Sequence, residues 1–176
     1  EYTKQLIPLL QSGKVKSVGV SNHNLAQIKE ADEILKAAGF RVSAVQNHYS
    51  LLNRSSEESG ILDYCKKNDI VFYGYMTLEQ GALSGKYDAE HPFPEGSARA
   101  KVFNPMLQQI EVVTAELKKV AEAHGVSAAQ IATAYAVNKG VLPILGVTKM
   151  YQVEEAVKTA DIVLTAEEIA SLEAAA

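Results

Sequence analysis

The sequence predicts an α/β fold in which parallel strands are joined by outer helices, part of a (β/α)8 barrel joined midway. Three observations predict it. Four short segments rich in Val, Ile and Tyr alternate with segments of helical spacing. The short segments do not alternate polar with apolar residues, so they read as buried strands, which pair in parallel through right-handed crossovers. The chain has 176 residues and a helix at roughly 2–12 with no strand before it, whereas a complete barrel typically needs about 250 residues.

The elements follow in order. After the first helix, VKSVGV at 15–20 is a strand, and Leu25, Ile28, Ala31, Leu35 and Ala38 mark one face of a helix. VSAVQN at 42–47 is the second strand, followed by helical spacing at Ile61, Leu62 and Cys65. IVFYGY at 70–75 is the third strand. HPFPEGSARAKVFNP at 91–105, with three of the chain's five prolines, marks an exposed loop at 88–104 that covers something. A helix beginning near Pro105 carries Ile110, Val113, Leu117 and Val120, and LPILGV at 142–147 is the fourth strand. A helix starting near Met150 or Tyr151 and a short one from Thr165 complete a single domain over 1–176.

Helix ends support these boundaries. Ser55 with Glu58, Ser127 with Gln130, and Thr165 with Glu168 have the spacing at which an N-cap hydroxyl and a side chain three residues on satisfy each other's backbone donors. Gly39, Gly125 and Gly140 stand just past helical stretches, where a left-handed C-cap residue is wanted.

Composition narrows the function. With 47% hydrophobic residues the chain can bury a core. The formal charge is −4, with Lys and Arg scattered among the acids, so no basic face is expected to track nucleic acid. Cys65 is the only cysteine, which excludes an intrachain disulfide and a multi-cysteine metal site and agrees with a cytoplasmic setting. No apolar run approaches the roughly 18 residues of a membrane span, and the first residues lack the pattern of a signal peptide.

Ligands bind outside the carboxyl ends of parallel strands, and all four ends here are polar. They carry Ser21, Asn22 and His23; Gln46, Asn47 and His48; Tyr75 and a loop holding Gly81 and Gly85; and Gly146, Val147, Thr148 and Lys149. Amides that hydrogen-bond, a flat ring that stacks and glycines that let backbone approach a pyrophosphate together suit a dinucleotide. Ser84 and Lys86 add a hydroxyl and a charge, and Thr148 and Lys149 precede a helix whose positive end favours phosphate. Each member has a plainer reading. Asn22 or Asn24 can cap the following helix, Tyr75 alone reads as core, and Lys149 alone reads as surface. The glycine loop is neither a P-loop nor a GxGxxG motif.

In combination these stretches resemble the aldo-keto reductases. GKVKSVGVSN at 13–22 matches that family's fifth strand, VQNHYSLL at 45–52 its sixth, YGYMTLEQGALSGKY at 73–87 its seventh with the glycine loop, and LPILGVTKMYQVEEA at 142–156 its eighth. The resemblance implies the C-terminal half of the barrel, strands five to eight, and an NAD(P)H-dependent oxidoreductase that reduces aldehydes or ketones. It implies that Ser21, Asn22 and Gln46 hold the nicotinamide carboxamide and that Tyr75 stacks on its ring. Leu78, Gln80, Gly81, Ser84 and Lys86 would wrap the pyrophosphate, while Gly146, Thr148, Lys149, Gln152 and Glu155 would meet the adenosine. The coenzyme implied is NADPH, with NADH left open.

The sequence departs from the family's pattern at three places. Met76 and Thr77 stand where many members have Ser-Pro, Gly146 where some carry a lysine, and Ala156 where an Asn commonly follows the glutamate. The family's catalytic Tyr, Lys, Asp and His belong to the first half of the barrel, so no catalytic residue is expected in 1–176, and His23, His48, His91 and His124 read as exposed or structural. Two other readings stay open. One is a non-catalytic nucleotide-binding module that associates with itself or with a missing N-terminal half; the other is a barrel enzyme acting on phosphate-bearing substrates.

Overall fold

The computed structural model describes residues 2–176. Helix α1 (Tyr2–Gln11) leads into strand β1 (Val18–Ser21), then α2 (Leu25–Lys36) and β2 (Val42–His48). Two short helices, α3 (Ser55–Glu58) and α4 (Ile61–Lys67), precede β3 (Val71–Tyr75). Beyond a 3-10 segment at Glu79–Ser84 come α5 (Ala98–Phe103), α6 (Leu107–His124), α7 (Ala128–Asn138), β4 (Leu142–Pro143), α8 (Met150–Thr159) and α9 (Ala166–Ala175). The four strands form one parallel sheet in the order β1-β2-β3-β4.

Register determines which side chains share a face, because paired residues in a parallel sheet point the same way. Val45 pairs with Phe72, and Gly74 with Pro143. Val18, Val45, Phe72 and Val141 are buried in the main core with Ile28, Leu35, Leu117, Ile131 and Tyr135 of the helices. On the opposite face Ser21, Gln46, Tyr73 and Leu142 form one lateral row, and His48 pairs with Tyr75 in the next. This second face is open: Val71, Leu142 and Ile144 are 43–51% exposed. The strands were expected to be buried on both faces; they are buried on one.

The fourth strand is also shorter than the expected 142–147. Only Leu142 and Pro143 pair with β3, and the Ile144 N–H still reaches Gly74 O at 2.8 Å. Ile144 turns its N–H toward β3, so the nitrogen of Pro143 faces the outer edge of the sheet, where its missing N–H costs the β3 ladder no bond.

The expected caps divide. Ser127 with Gln130 and Thr165 with Glu168 form reciprocal capping boxes, and Gly39, Gly125 and Gly140 all have positive φ. Ser55 does not cap: Arg54 precedes α3, and the Ser55 hydroxyl bonds Asn53 Oδ1 at 2.8 Å. Asn24, rather than Asn22, caps α2, in a box with Gln27.

The segment 88–104 is not a plain exposed loop. Its second part forms α5, and Phe93 is fully buried in a small separate cluster with Ala82, Ala100, Phe103, Leu107 and Ile110. Tyr87 stacks on Phe93 at 3.8 Å between centroids. The Asn104 amide binds both backbone groups of Phe93, accepting its N–H at 3.0 Å and donating to its carbonyl at 3.1 Å. Aromatic residues among the prolines thus supply a local core that the polar composition concealed. No helix among the described residues is long and apolar enough to cross a membrane.

Candidate functional site

The carboxyl ends of β1, β2 and β3 bring four of the expected residues to one place. Ser21 pairs with Gln46, and the Asn22 N–H donates to Gln46 O at 3.0 Å. Asn22 takes a left-handed backbone, φ 56°, which turns its amide toward β3. There it accepts the Tyr75 hydroxyl at 2.7 Å. The His48 ring lies nearly parallel to that of Tyr75, 22° apart with centroids at 5.5 Å. Ser21 and Gln46 are exposed on the open face, with their polar groups free for a ligand.

From Tyr75 the chain enters a turn of unusual backbone. Met76, Glu79 and Gln80 have φ of 61°, 46° and 53°, values that cost a non-glycine residue about 1 kcal/mol or more each. Gly81 follows at φ 102°, where a side chain is strained whatever the space. Ser84 closes the turn by donating to Gly81 O at 2.6 Å.

This turn forms one wall of a cleft of about 600 Å³. Leu78, Gln80, Gly81, Ser84 and Lys86 line it, and Gly146, Gln152 and Glu155 line the opposite wall. Thr148 and Lys149 lie at its margin without lining it. Their N–H groups both donate to Gln152 Oε1, at 2.8 and 3.0 Å, and the Lys149 ammonium lies 6.0 Å from the Tyr151 ring. Ser21, Asn22, Gln46 and Tyr75 stand outside the cleft, joined to it through Met76 and Thr77, which line it.

Several lining residues escaped the sequence reading: Tyr87, Arg99, Ser127, Gln130, Thr133 and Tyr151 among them. Arg99 is the most consequential. It sits on α5, over the Phe93 ring at 5.5 Å, and reaches Gln80 O at 3.4 Å, adding a second cation beside Lys86. The signal available was an arginine two residues after an N-cap serine, Ser97, in a stretch read as irregular. Gln130 acts twice, capping α7 and donating to Glu155 O at 3.2 Å, so it ties the floor of the cleft to α8.

The histidines divide by environment. His124 pairs with Glu168 at 2.9 Å and His91 with Asp88 at 2.9 Å, while His23 Nδ1 contacts Ser21 O at 2.8 Å. His48 differs, because it faces the open side beside Tyr75 and meets the buried Glu79. Among the described residues no cluster of His, Cys, Asp and Glu could hold a metal ion.

Size and lining fit a dinucleotide's phosphates and adenosine. Ligand clefts usually measure about 300–1,000 Å³. A Cβ added at Gly146 would meet nothing within 4 Å, so the space above that glycine is not filled by the protein's own packing. Lys86 and Arg99 provide positive charge on the glycine-loop side, and Glu155 a carboxylate on the other.

Comparison with known proteins gives a consistent outcome. A family model described as "Aldo/keto reductase family" matches residues 1–176. The chain is 30% identical over 171 residues to the chloroplastic pyridoxal reductase of Arabidopsis thaliana, covering 97% of this chain and 46% of the relative. It is 34% identical over 165 residues to an uncharacterized oxidoreductase of Mycobacterium tuberculosis, covering 90% and 49%. Among solved structures, a glycerol dehydrogenase from Gluconobacter oxydans superimposes with a TM-score of 0.85 at 28% identity, covering 98% of this chain and 52% of that one. The chain spans about half the length of these relatives.

Proposed function

The chain belongs to the aldo/keto reductase family, and on that premise we propose that it carries the dinucleotide-binding part, strands five to eight of the barrel, of an NAD(P)H-dependent oxidoreductase. Members of the family generally use NAD(P)H. The reaction proposed is reduction of an aldehyde or ketone to an alcohol, for which the bound coenzyme supplies the hydride.

One observation carries the reading. The polar cluster of Ser21, Asn22 and Gln46, the ring of Tyr75 and the glycine-loop cleft follow one another along the same carboxyl edge of the sheet. The Ser21 hydroxyl and the two amides bind and orient the nicotinamide carboxamide, and Tyr75, braced by Asn22, presents its ring to the nicotinamide. Backbone N–H groups of the turn, with Gln80, Ser84, Lys86 and Arg99, take the pyrophosphate. Gly146, Gln152 and Glu155 receive the adenosine, with Thr148 and Lys149 at the margin available to a ribose phosphate. That last contact favours NADPH over NADH. We assign no proton donor within 1–176; in this proposal the proton reaches the carbonyl oxygen from residues of the barrel's other half.

A second reading draws on the open face. Val71, Leu142 and Ile144 are apolar and half-exposed, and β1 and β4 each leave one edge unpaired among the described residues. Such a face favours pairing with a second copy or with another β/α half.

Titration of the purified chain with NADPH, followed by coenzyme fluorescence, tests the first reading. Saturable enhancement that Tyr75→Ala weakens and the surface change Lys66→Ala leaves intact supports it, and no binding at millimolar coenzyme overturns it. Sedimentation of the same material tests the second: a concentration-independent monomer excludes self-pairing.

A further inference from the structure

The glycine loop holds a buried carboxylate to which the reading above gives no part. Glu79 is 5% exposed, yet it lies in the strained turn with φ 46°. Its side chain reaches the end of β2. There Oε1 accepts from His48 Nε2 at 2.6 Å and from the Ser50 hydroxyl. Ser50 is fully buried, and its oxygen in turn accepts the N–H groups of Leu52 and Asn53, each at 3.1 Å.

The surrounding bonds orient the His48 ring. The Ser55 N–H and hydroxyl both point at Asn53 Oδ1, and the Asn53 Nδ2 group faces His48 Nδ1 at 3.0 Å. With Nε2 at Glu79, the ring is held at both nitrogens. The same ring lies alongside Tyr75, whose hydroxyl is held by Asn22.

We propose that Glu79 and His48 are a positioning pair for the dinucleotide: Glu79 pins the Met76–Gly81 turn to the end of β2, and His48, held by that bond, sets the tilt of the Tyr75 ring. This rests on the reading that Tyr75 and the turn receive the nicotinamide and the pyrophosphate. The physical need is plain. Three non-glycine residues with positive φ persist only where surrounding bonds over-determine them. The turn's own N–H bonds, Glu79 to Met76 O, and Gly81 and Leu83 to Leu78 O, are short-range and cannot tie it to the sheet. The Glu79 carboxylate ties it from inside. Preorganising the turn and the ring before the coenzyme arrives removes an ordering cost from binding.

Three variants of the full chain test the pair: Glu79→Gln, which keeps an acceptor for His48 and Ser50; Glu79→Met, which fills the space without one; and His48→Phe, which keeps an aromatic neighbour for Tyr75 without a donor. Amide hydrogen exchange of the coenzyme-free protein reads the turn, nitrogen NMR shifts read the His48 tautomer, and NADPH fluorescence reads affinity. Faster exchange at Gly81 and Leu83 is expected in Glu79→Met and His48→Phe, with NADPH binding weakened about tenfold, while Glu79→Gln stays within about threefold of wild type. Wild-type His48 should show a proton on Nε2, the nitrogen at Glu79. Unchanged exchange in Glu79→Met with affinity intact overturns the pair. Tighter binding in Glu79→Gln also overturns it, because the carboxylate would then act by repelling phosphate. If wild type binds no NADPH, the dinucleotide reading falls and takes the pair's role toward it, while the exchange data still decide whether Glu79 holds the turn.

Discussion

The Tyr75 hydroxyl donates to Asn22 Oδ1 at 2.7 Å, tying the end of β3 to the end of β1 over the top of β2. The bond aligns a ring with a left-handed asparagine. Tyr75→Phe removes the bond but keeps the ring, so NADPH affinity should fall about threefold. Tyr75→Ala removes the stacking surface and should cost about ten- to hundredfold. Fluorescence titration separates the two.

Gly74 is a packing requirement. It lies on the buried face of β3, where an added Cβ would meet Val141 Cγ1 at 2.6 Å and Tyr49 Cβ at 3.3 Å. Gly74→Ala should therefore destabilise by about 2–3 kcal/mol through overpacking. A paired Val141→Ala should restore part of the loss. Denaturant midpoints of the single and double variants decide it.

Asp32 contributes to the acid dependence of stability. Burial pushes its carboxyl up, but the Lys36 ammonium, the Val42 N–H and the Tyr64 hydroxyl outweigh burial and hold it below the ordinary value. A carboxyl depressed by folding contributes stability above its unfolded value of about 4 and loses that contribution as pH falls through the folded value. Asp32→Asn should cost about 2 kcal/mol at neutral pH and flatten the decline in unfolding free energy on acidification. Urea melts across that range measure both.

Lys139 joins three helices through a charged knot. Its ammonium lies 2.6 Å from both Glu57 and Glu173, each of which also accepts a hydroxyl, from Tyr49 and Tyr135 respectively. Lys139→Met leaves two carboxylates without their shared cation, and the melting temperature should drop by an amount corresponding to about 2 kcal/mol. The triple change that also makes Glu57→Gln and Glu173→Gln should regain much of it.

Cys65 is an inert thiol. Burial pushes its pKa up to about 11, and the side chain lies within the core. Alkylation by iodoacetamide at neutral pH should proceed only as fast as the chain unfolds, so its rate should rise in the destabilised variants above and be unaffected by coenzyme-site variants of equal stability.

Most of the scaffold was legible because its signals are local. Helical spacing at Ile28 and Leu35, the boxes at Ser127 and Thr165, and the glycines after helices each depend on neighbours a few residues away. The failures share the opposite cause. Ser55 has the spacing of a cap, but Asn53 competes for its hydroxyl. The fourth strand pairs over Leu142 and Pro143 alone, because β3 ends at Tyr75 and offers the rest of the apolar run little to pair with. Arg99 joins the cleft only because buried Phe93 and Phe103 pull the proline-rich segment back over the glycine loop. Glu79 carries no local signal, because the histidine it bonds lies 31 residues earlier.

Each of β2, β3 and β4 lies next to the strand made just before it. Among the described residues no gap is left in the sheet for a later segment to fill, so each of these three strands has its partner waiting when it leaves the ribosome. Addition in order of synthesis, one unit at a time, is thus a route open to this chain without a rearrangement of what has already formed.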